Sequence, residues 1–322
     1  MPESRGNEFA FLLLPGFSLP DLANSIEALA VANKLGKSCD YTWRTVSPTS
    51  DSVTCSNGAK IPVDGMMSGV DTRACVFVCA FESPWGAGEP TALAWLRRHS
   101  RLGGVLGAIG TGATILAQAG LLAGHDFTVH WRALEVFEEF WPDLKPNSSL
   151  FTSNGRLHTC AGGQASIDMM ATLIAAEPDN VTANMIADFL VSPAPRAADS
   201  PQRLSLATRY GTRHPIFLSV VAEIEKADLS VISIDRLVDK NGISRRQLER
   251  LFQSVCKVSP ARFIKREKLK QAKSLLDQTD LSVLDISLVC GFNTVANFSK
   301  SFTEEFGCSP IKLRKQSQPI FA

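Results

Sequence analysis

The chain has 322 residues, 45% of them hydrophobic, and a net charge of +1, enough for two domains with their own cores. No run of 18 apolar residues occurs and the opening MPESRGNEF lacks a signal-peptide layout, so a cytoplasmic protein with no membrane partner is expected. Eight cysteines (Cys39, Cys55, Cys75, Cys79, Cys160, Cys256, Cys290, Cys308) show no CxxC spacing, and HExxH, Cys/His clusters and phosphate loops are absent. Disulfides, metals and cofactors are therefore not expected.

Through the first 190 residues apolar strands alternate with helices. Residues 9–14 are predicted as a buried strand, followed by the loop Pro15-Gly16-Phe17-Ser18 and a helix reaching Asn33. Further strands are expected at 41–46, 73–80 and 104–109, helices at 93–99, 113–119, 131–140 and 164–176, and short strands around Leu150 and Leu157. Strands that are apolar throughout and interleaved with helices mean a parallel sheet covered on both faces, an α/β sandwich of the flavodoxin-like kind.

Ligands in such sheets bind outside the carboxyl ends of the strands. Four segments fall there: Pro15-Gly16-Phe17, Phe81-Glu82-Ser83-Pro84-Trp85, Ile109-Gly110-Thr111-Gly112-Ala113 and His130-Trp131. The third turns sharply from strand to helix, the geometry of a nucleophile elbow. A ligand site would be lined by Phe17, Asp21, Glu82, Trp85, Gly110, Thr111, His130 and Trp131. The N–H groups of Thr111 and Gly112 at a helix start suit a carboxylate, while Trp85, Trp131 and Glu82 suit a cationic amine; together they suggest a small zwitterion. The plainer roles are helix packing for both tryptophans and a structural hydrogen bond for His130. His158 is expected in a strand pair.

Gly110-Thr111-Gly112-Ala113, Ala119-Gly120-Leu121-Leu122, Thr128-Val129-His130-Trp131 and the run from Ala161 to Asp168 carry a resemblance to the class I glutamine amidotransferase/PfpI-like superfamily, over roughly residues 8–190. The resemblance implies a nucleophilic cysteine at the elbow of enzymatic relatives, with a histidine soon after. Here the elbow residue is Gly110, which has no thiol, and His130 has nothing to activate. Cys79, Thr111 and Cys160 are candidate replacements whose plainer roles are core filling or a helix-start hydroxyl. The resemblance also implies response to amino acids or betaine-like nitrogen compounds.

The stretch Ser192 to Pro201, SPAPRAADSP, has no apolar period and is expected to be linker. Domains are accordingly placed at 1–191 and 212–322, with 192–211 joining them and Arg196, Gln202 and Arg203 able to contact either side. Pro215 starts the first long helix of the second domain.

That domain contains a helix-turn-helix pattern twice. In the first, Ile234, Leu237 and Val238 mark a short helix, Asn241-Gly242 a turn, and Ser244 caps a second helix that buries Leu248, Leu251 and Phe252. Ser244, Arg245, Arg246, Glu249 and Arg250 remain to meet DNA. In the second, Val283, Ile286 and Val289 form the apolar stripe, Gly291 turns, Asn293 or Thr294 caps, and Phe298, Phe302 and Phe306 anchor the following helix. Thr294, Val295, Ala296, Asn297 and Lys300 are left toward DNA. A helix over 259–278 spans the gap, a strut of roughly 25 Å against the roughly 34 Å of one DNA turn. Residues 212–322 hold 18 Lys and Arg against 12 Asp and Glu, whereas residues 1–211 hold 15 against 20. Basic character is thus confined to the segment that would neutralise phosphates.

The runs Gly242 to Phe252, Ser259-Pro260, Cys290-Gly291-Phe292, Phe298 to Phe302 and Phe306 to Pro310 resemble the AraC/XylS family of bacterial transcription regulators over about a third of the chain. The expectation is a ligand-responsive, sequence-specific transcription regulator, an activator, with double-stranded DNA, a small-molecule effector, RNA polymerase and a second copy of itself as partners. Its pairing surface is sought on the helix 131–140 or 164–176. The alternative is an amidotransferase-like or hydrolase-like enzyme with an appended DNA-binding domain, against which Gly110 argues.

Overall fold

Alternation along the first strand organises the first half of the chain. β1 (Glu8–Leu13) directs Phe9, Phe11 and Leu13 into one core and Ala10 and Leu12 into another, so the sheet is apolar on both faces. The computed structural model describes residues 7–36, 40–81, 90–175 and 181–317. Two units divide the chain between Gln202 and Arg203.

In the first unit, β1 is followed by α1 (Leu19–Lys34), β2 (Thr42–Ser47), a hairpin of β3 (Ser52–Thr54) and β4 (Lys60–Pro62), and β5 (Gly65–Met66). After these come β6 (Cys75–Ala80), α2 (Pro90–Arg101), β7 (Val105–Gly110), α3 (Gly112–Gln118), α4 (Leu134–Phe140), β8 (Phe151–Asn154), β9 (Leu157–Cys160), α5 (Ala165–Ala175) and α6 (Val181–Phe189). The main sheet runs β5-β2-β1-β6-β7-β9-β8, parallel except for β8 against β9. Its five central strands have the doubly wound order 2-1-3-4-5, with the direction of winding reversing beside β1. Side chains of α1, α5 and α6 fill one core, with Phe11 and Phe77 rings 6.0 Å apart beneath them. Those of α2, α3 and α4 fill the other.

The fold class matches the sequence reading, with local differences. Trp131–Ala133 is a 3-10 turn ahead of α4 rather than part of one long helix, because His130 takes the cap position and its imidazole accepts from the Arg132 N–H. Nine of the eleven residues of α5 are buried, so this helix is core and cannot offer a pairing surface.

The segment expected to be linker is bonded on both sides of the division. Residues 192–202 are stitched to the first unit: the Leu150 N–H donates to Ala198 carbonyl at 2.9 Å, and Arg196 grips buried Asp168. Residues 203–211 belong to the second unit, where α7 (Leu206–Tyr210) forms and Arg203 and Arg209 pair with Glu225.

The second unit is helical: α8 (Pro215–Lys226), α9 (Ile234–Asn241), α10 (Arg245–Cys256), α11 (Pro260–Gln278), α12 (Val283–Val289), α13 (Val295–Phe306) and α14 (Pro310–Ser317). Phe217, Phe252 and Phe263 pack in its core with ring centroids 5.1 and 5.2 Å apart, the first pair tilted and the second edge-to-face, tying α8, α10 and α11 together. The strut α11 has 19 residues, about 28 Å at 1.5 Å per residue. Among the described residues no helix is long and apolar enough to cross a membrane, and no group of His, Cys, Asp and Glu is placed to hold a metal ion.

Candidate functional site

At the carboxyl edge of the first unit's sheet, the ends of β1, β7 and β9 bring Asp21, Gly110 and Gly162 together. Gly110 ends β7 with φ +68°, the left-handed conformation an elbow residue needs. A Cβ there would lie 2.6 Å from the Ala80 carbonyl oxygen and 3.4 Å from Asp21 Oδ2. Gly162 (φ +89°) faces it: a Cβ on this residue would fall 2.5 Å from the same carboxylate oxygen. Two glycines thus enclose one acid.

Asp21 is 2% exposed. Its Oδ1 accepts from the Ser18 hydroxyl and from the Gly163 N–H, both at 2.7 Å, whereas Oδ2 is buried without a hydrogen-bond partner. Burial raises the carboxyl's pKa despite those two bonds, which lower it. Sequence reasoning selected Asp21 but missed Ser18 and Gly163. The spacing Ser18-x-x-Asp21, a helix-start pattern, was the available signal for the first.

Other expected lining residues are placed differently. Phe17 is wholly buried in the core, its carbonyl accepting from the Ser56 N–H behind the β3–β4 hairpin, so its ring is not a lining group. The Thr111 N–H donates to the Ala80 carbonyl at 2.9 Å and is therefore not available for a ligand carboxylate; its hydroxyl is buried and unpartnered. Glu82 and Trp85 lie outside the described residues. His130 packs edge-on to Phe81 at 5.8 Å and beside Trp131 at 5.6 Å, and burial lowers its pKa to about 4, with Arg132 contributing. Trp131 is 42% exposed, and its backbone N–H donates to Gln202 Oε1 at 2.8 Å. His158 lies in β9, its Nδ1 3.0 Å from Ser153 Oγ of β8.

Burial pushes the Cys79 thiol well up and the Cys160 thiol up to about 12, with the Asp21 carboxylate adding to both. Protonated, buried thiols are poor nucleophiles.

In the second unit the helix-turn-helix geometry forms twice. Gly242 (φ +62°) closes α9, and Ser244 and Gln247 form a capping box at α10: the Gln247 N–H donates to Ser244 Oγ at 3.2 Å and the Ser244 N–H to Gln247 Oε1 at 2.7 Å. Leu248 and Phe252 are buried, Arg246 and Arg250 exposed, and Ser244, Arg246, Gln247, Glu249, Arg250 and Gln253 border one open cleft. Arg245 lies 3.8 Å from Asp235, an exposed pair. In the second copy Thr294 caps α13, Phe298 and Phe302 are buried, and Ala296, Asn297 and Lys300 are exposed, with Val295 half-buried. Val289 is not part of the buried stripe. It is 48% exposed, and Ile286, Ser287 and Cys290 face the core instead.

A sheet-based unit followed by a doubled helix-turn-helix defines a two-part transcription regulator. Residues 10–176 match the DJ-1/PfpI family and residues 237–316 a helix-turn-helix domain. The chain is 38% identical to the HTH-type transcriptional regulator CdhR of Pseudomonas aeruginosa, over 95% of this chain and 91% of that one. It is 34% identical to the HTH-type transcriptional regulators GbdR of the same species (99% and 87%) and GlxA of Rhizobium meliloti (95% and 95%). The chain belongs to the AraC-type helix-turn-helix transcription regulators that carry a DJ-1/PfpI domain, and its second unit binds DNA. The fold of the first unit is shared with an AraC family regulator from Pseudomonas putida, at TM-score 0.52 and 20% identity over 57% of this chain and 98% of that one.

Proposed function

We propose that the chain is a cytoplasmic, ligand-responsive, sequence-specific activator whose first unit senses a small nitrogen-containing metabolite and has no catalytic step of its own. It would act as a homodimer on paired half-sites, with RNA polymerase as its further partner. The observation that carries the reading is the glycine at the elbow: where a nucleophile would stand, Gly110 offers only backbone, and the adjacent acid Asp21 holds an unpaired oxygen. That oxygen suits a ligand N–H or ammonium, which would relieve the cost of a buried unpaired acceptor. The raised thiols of Cys79 and Cys160 argue against either replacing the missing nucleophile.

The same corner supplies a reason for a response. Ligand entry to Asp21 Oδ2 requires the Gly162–Gly163 turn to move, and that turn leads directly into α5, where Ser166 Oγ donates to the Gly163 carbonyl at 2.7 Å. A ligand that favours the displaced turn shifts the population of the whole unit.

Calorimetric titration of the full chain with glycine betaine, carnitine and arginine tests the reading. Binding of one of them is expected, weakened at least about tenfold by Asp21→Asn, through loss of a charge-assisted hydrogen bond for arginine or of the carboxylate's charge beside the quaternary ammonium, which has no N–H, for betaine or carnitine. Unchanged affinity in that variant would move the ligand away from Asp21. Amidase or hydrolase turnover by the purified chain would favour the enzyme reading instead.

A further inference from the structure

Gln202 is the last residue of the first unit, and its half-buried side-chain amide is bonded at both ends. Nε2 lies 3.0 Å from Thr128 Oγ1, 2.9 Å from the Val129 carbonyl and 2.9 Å from the Ser149 carbonyl, while Oε1 accepts from the Trp131 N–H at 2.8 Å. Both ends of one amide are thus spent on the loop 128–131, the loop that presents His130. No other neutral side chain places two donors and an acceptor at this reach.

The ten residues before it are fastened in sequence to the same unit. Gln164 Nε2 donates to Ser192 Oγ at 2.9 Å. Arg196 donates through its N–H to Asp168 Oδ1 at 3.1 Å and through Nε and Nη2 to Oδ2 at 3.0 and 2.7 Å. Asp168 stands in the first turn of α5, just after the Gly162–Gly163 turn that Asp21 pins. Pro201 bridges to Ser149. This segment is therefore bonded to α5, the helix that follows the glycine turn, through Arg196 and to the His130 loop through Gln202, and the very next residue begins the DNA-binding unit.

We propose that residues 192–202 are a strap that transmits the state of the sensing site to the DNA-binding unit, with Gln202 as the positioning residue that holds the His130 loop to it. The inference rests on the first unit being a sensor, but its test needs no ligand and so fails separately from that reading. Gln202 bonds strap to loop directly, so loosening one loosens the other, and its covalent neighbour Arg203 is the first residue of the DNA-binding unit.

The test uses the full chain and the Gln202→Ala and Thr128→Val variants, with duplexes enriched from a randomised pool by the unaltered protein. In Gln202→Ala, amide exchange at residues 128–131 and 192–201 rises together by about tenfold or more, His130 titrates nearer its ordinary value of 6.5, and affinity for the enriched duplex changes by about fivefold or more, the lower end of ordinary site-to-site coupling. In Thr128→Val, which removes the hydroxyl that accepts from Gln202 and donates to the Asn147 and Ser149 carbonyls, exchange at 192–201 rises as well. Gln202→Glu, which keeps the acceptor for Trp131 but sets a carboxylate oxygen against the Val129 and Ser149 carbonyl oxygens, does not restore unaltered behaviour. Duplex affinity unchanged in Gln202→Ala, or a strap whose exchange ignores Thr128→Val, overturns the proposal. The DNA readout separates transmission from a local packing role, because residue 202 lies outside both helix-turn-helix copies.

Discussion

Two side chains in the first unit carry charge states set by burial, and they make opposite contributions to stability as pH changes. His130 is held neutral, with its pKa lowered to about 4 from 6.5. The unfolded chain therefore takes up a proton between those values that the folded chain refuses, so the stabilising contribution is complete above pH 6.5 and is lost as the pH falls toward 4. At about 1.4 kcal/mol per unit the loss is about 3 kcal/mol, and His130→Gln, measured by urea unfolding at pH 7 and pH 4.5, is expected to remove most of that dependence. Asp21 runs the other way. Its pKa is raised from 3.8 by burial, so the folded form holds its proton longer; its contribution is present below pH 3.8 and is lost as the pH rises through the folded value. Asp21→Asn, which keeps the shape and cannot ionise, is expected to gain stability relative to the unaltered chain as pH climbs from 4 to 7. A difference between the two chains that stays flat across this range would mean that Asp21 is ionised at every pH tested. Neither shift was legible in the sequence, because each depends on what covers the group: Phe81 and the 3-10 turn for His130, Gly110 and Gly162 for Asp21.

Elements were legible wherever a local signal sufficed. The alternation of β1, the Ser244 cap and the Gly242 and Gly291 turns follow from residue types at short spacing, and the structure has them in place. What the sequence did not disclose needed long-range partners: the β3–β4 hairpin that buries Phe17, the bonds of residues 192–202, and the outward turn of Val289, whose apolar character alone had suggested the core. Gly291 shows both kinds of information at one position. Its φ of +68° is the local requirement, and a Cβ there would stand 2.6 Å from Ser230 Cα and 2.9 Å from Lys268 Nζ, which itself donates to the Gly291 carbonyl at 3.1 Å. A backbone atom cannot yield as a side-chain tip can. Gly291→Ala is therefore expected to cost more than the roughly 1 kcal/mol of a left-handed alanine alone, on the order of 2–3 kcal/mol. Thermal unfolding followed by circular dichroism measures it; a loss below 1 kcal/mol would mean that the chain preceding α9 moves away freely.

At the scale of the molecule, near-neutrality conceals a division, with the basic excess beyond residue 211 and the acidic excess before it. An acidic first unit adds nothing to DNA affinity through phosphate attraction, so binding strength and its salt dependence fall to the helix-turn-helix unit. Within that unit Arg246 and Arg250 project from the early turns of α10 beside Glu249 and the capped Ser244, while Lys300 projects from α13. An arginine that pairs with a guanine edge and one that pairs with a phosphate differ in what their removal does. Arg246→Ala and Arg250→Ala are each expected to weaken binding to a duplex enriched from a randomised pool by about 1–3 kcal/mol, with discrimination lost at one base position and little change on scrambled duplex. Lys300→Ala is expected to weaken both duplexes alike and to flatten the slope of log affinity against log salt by about one unit, the mark of one phosphate contact. Fluorescence anisotropy over a salt series distinguishes the cases. Equal losses on enriched and scrambled DNA for Arg246 and Arg250 would assign both to the backbone and leave base reading to the shorter side chains Asn297 and Ser244, of which Ser244 already spends its hydroxyl on the helix cap.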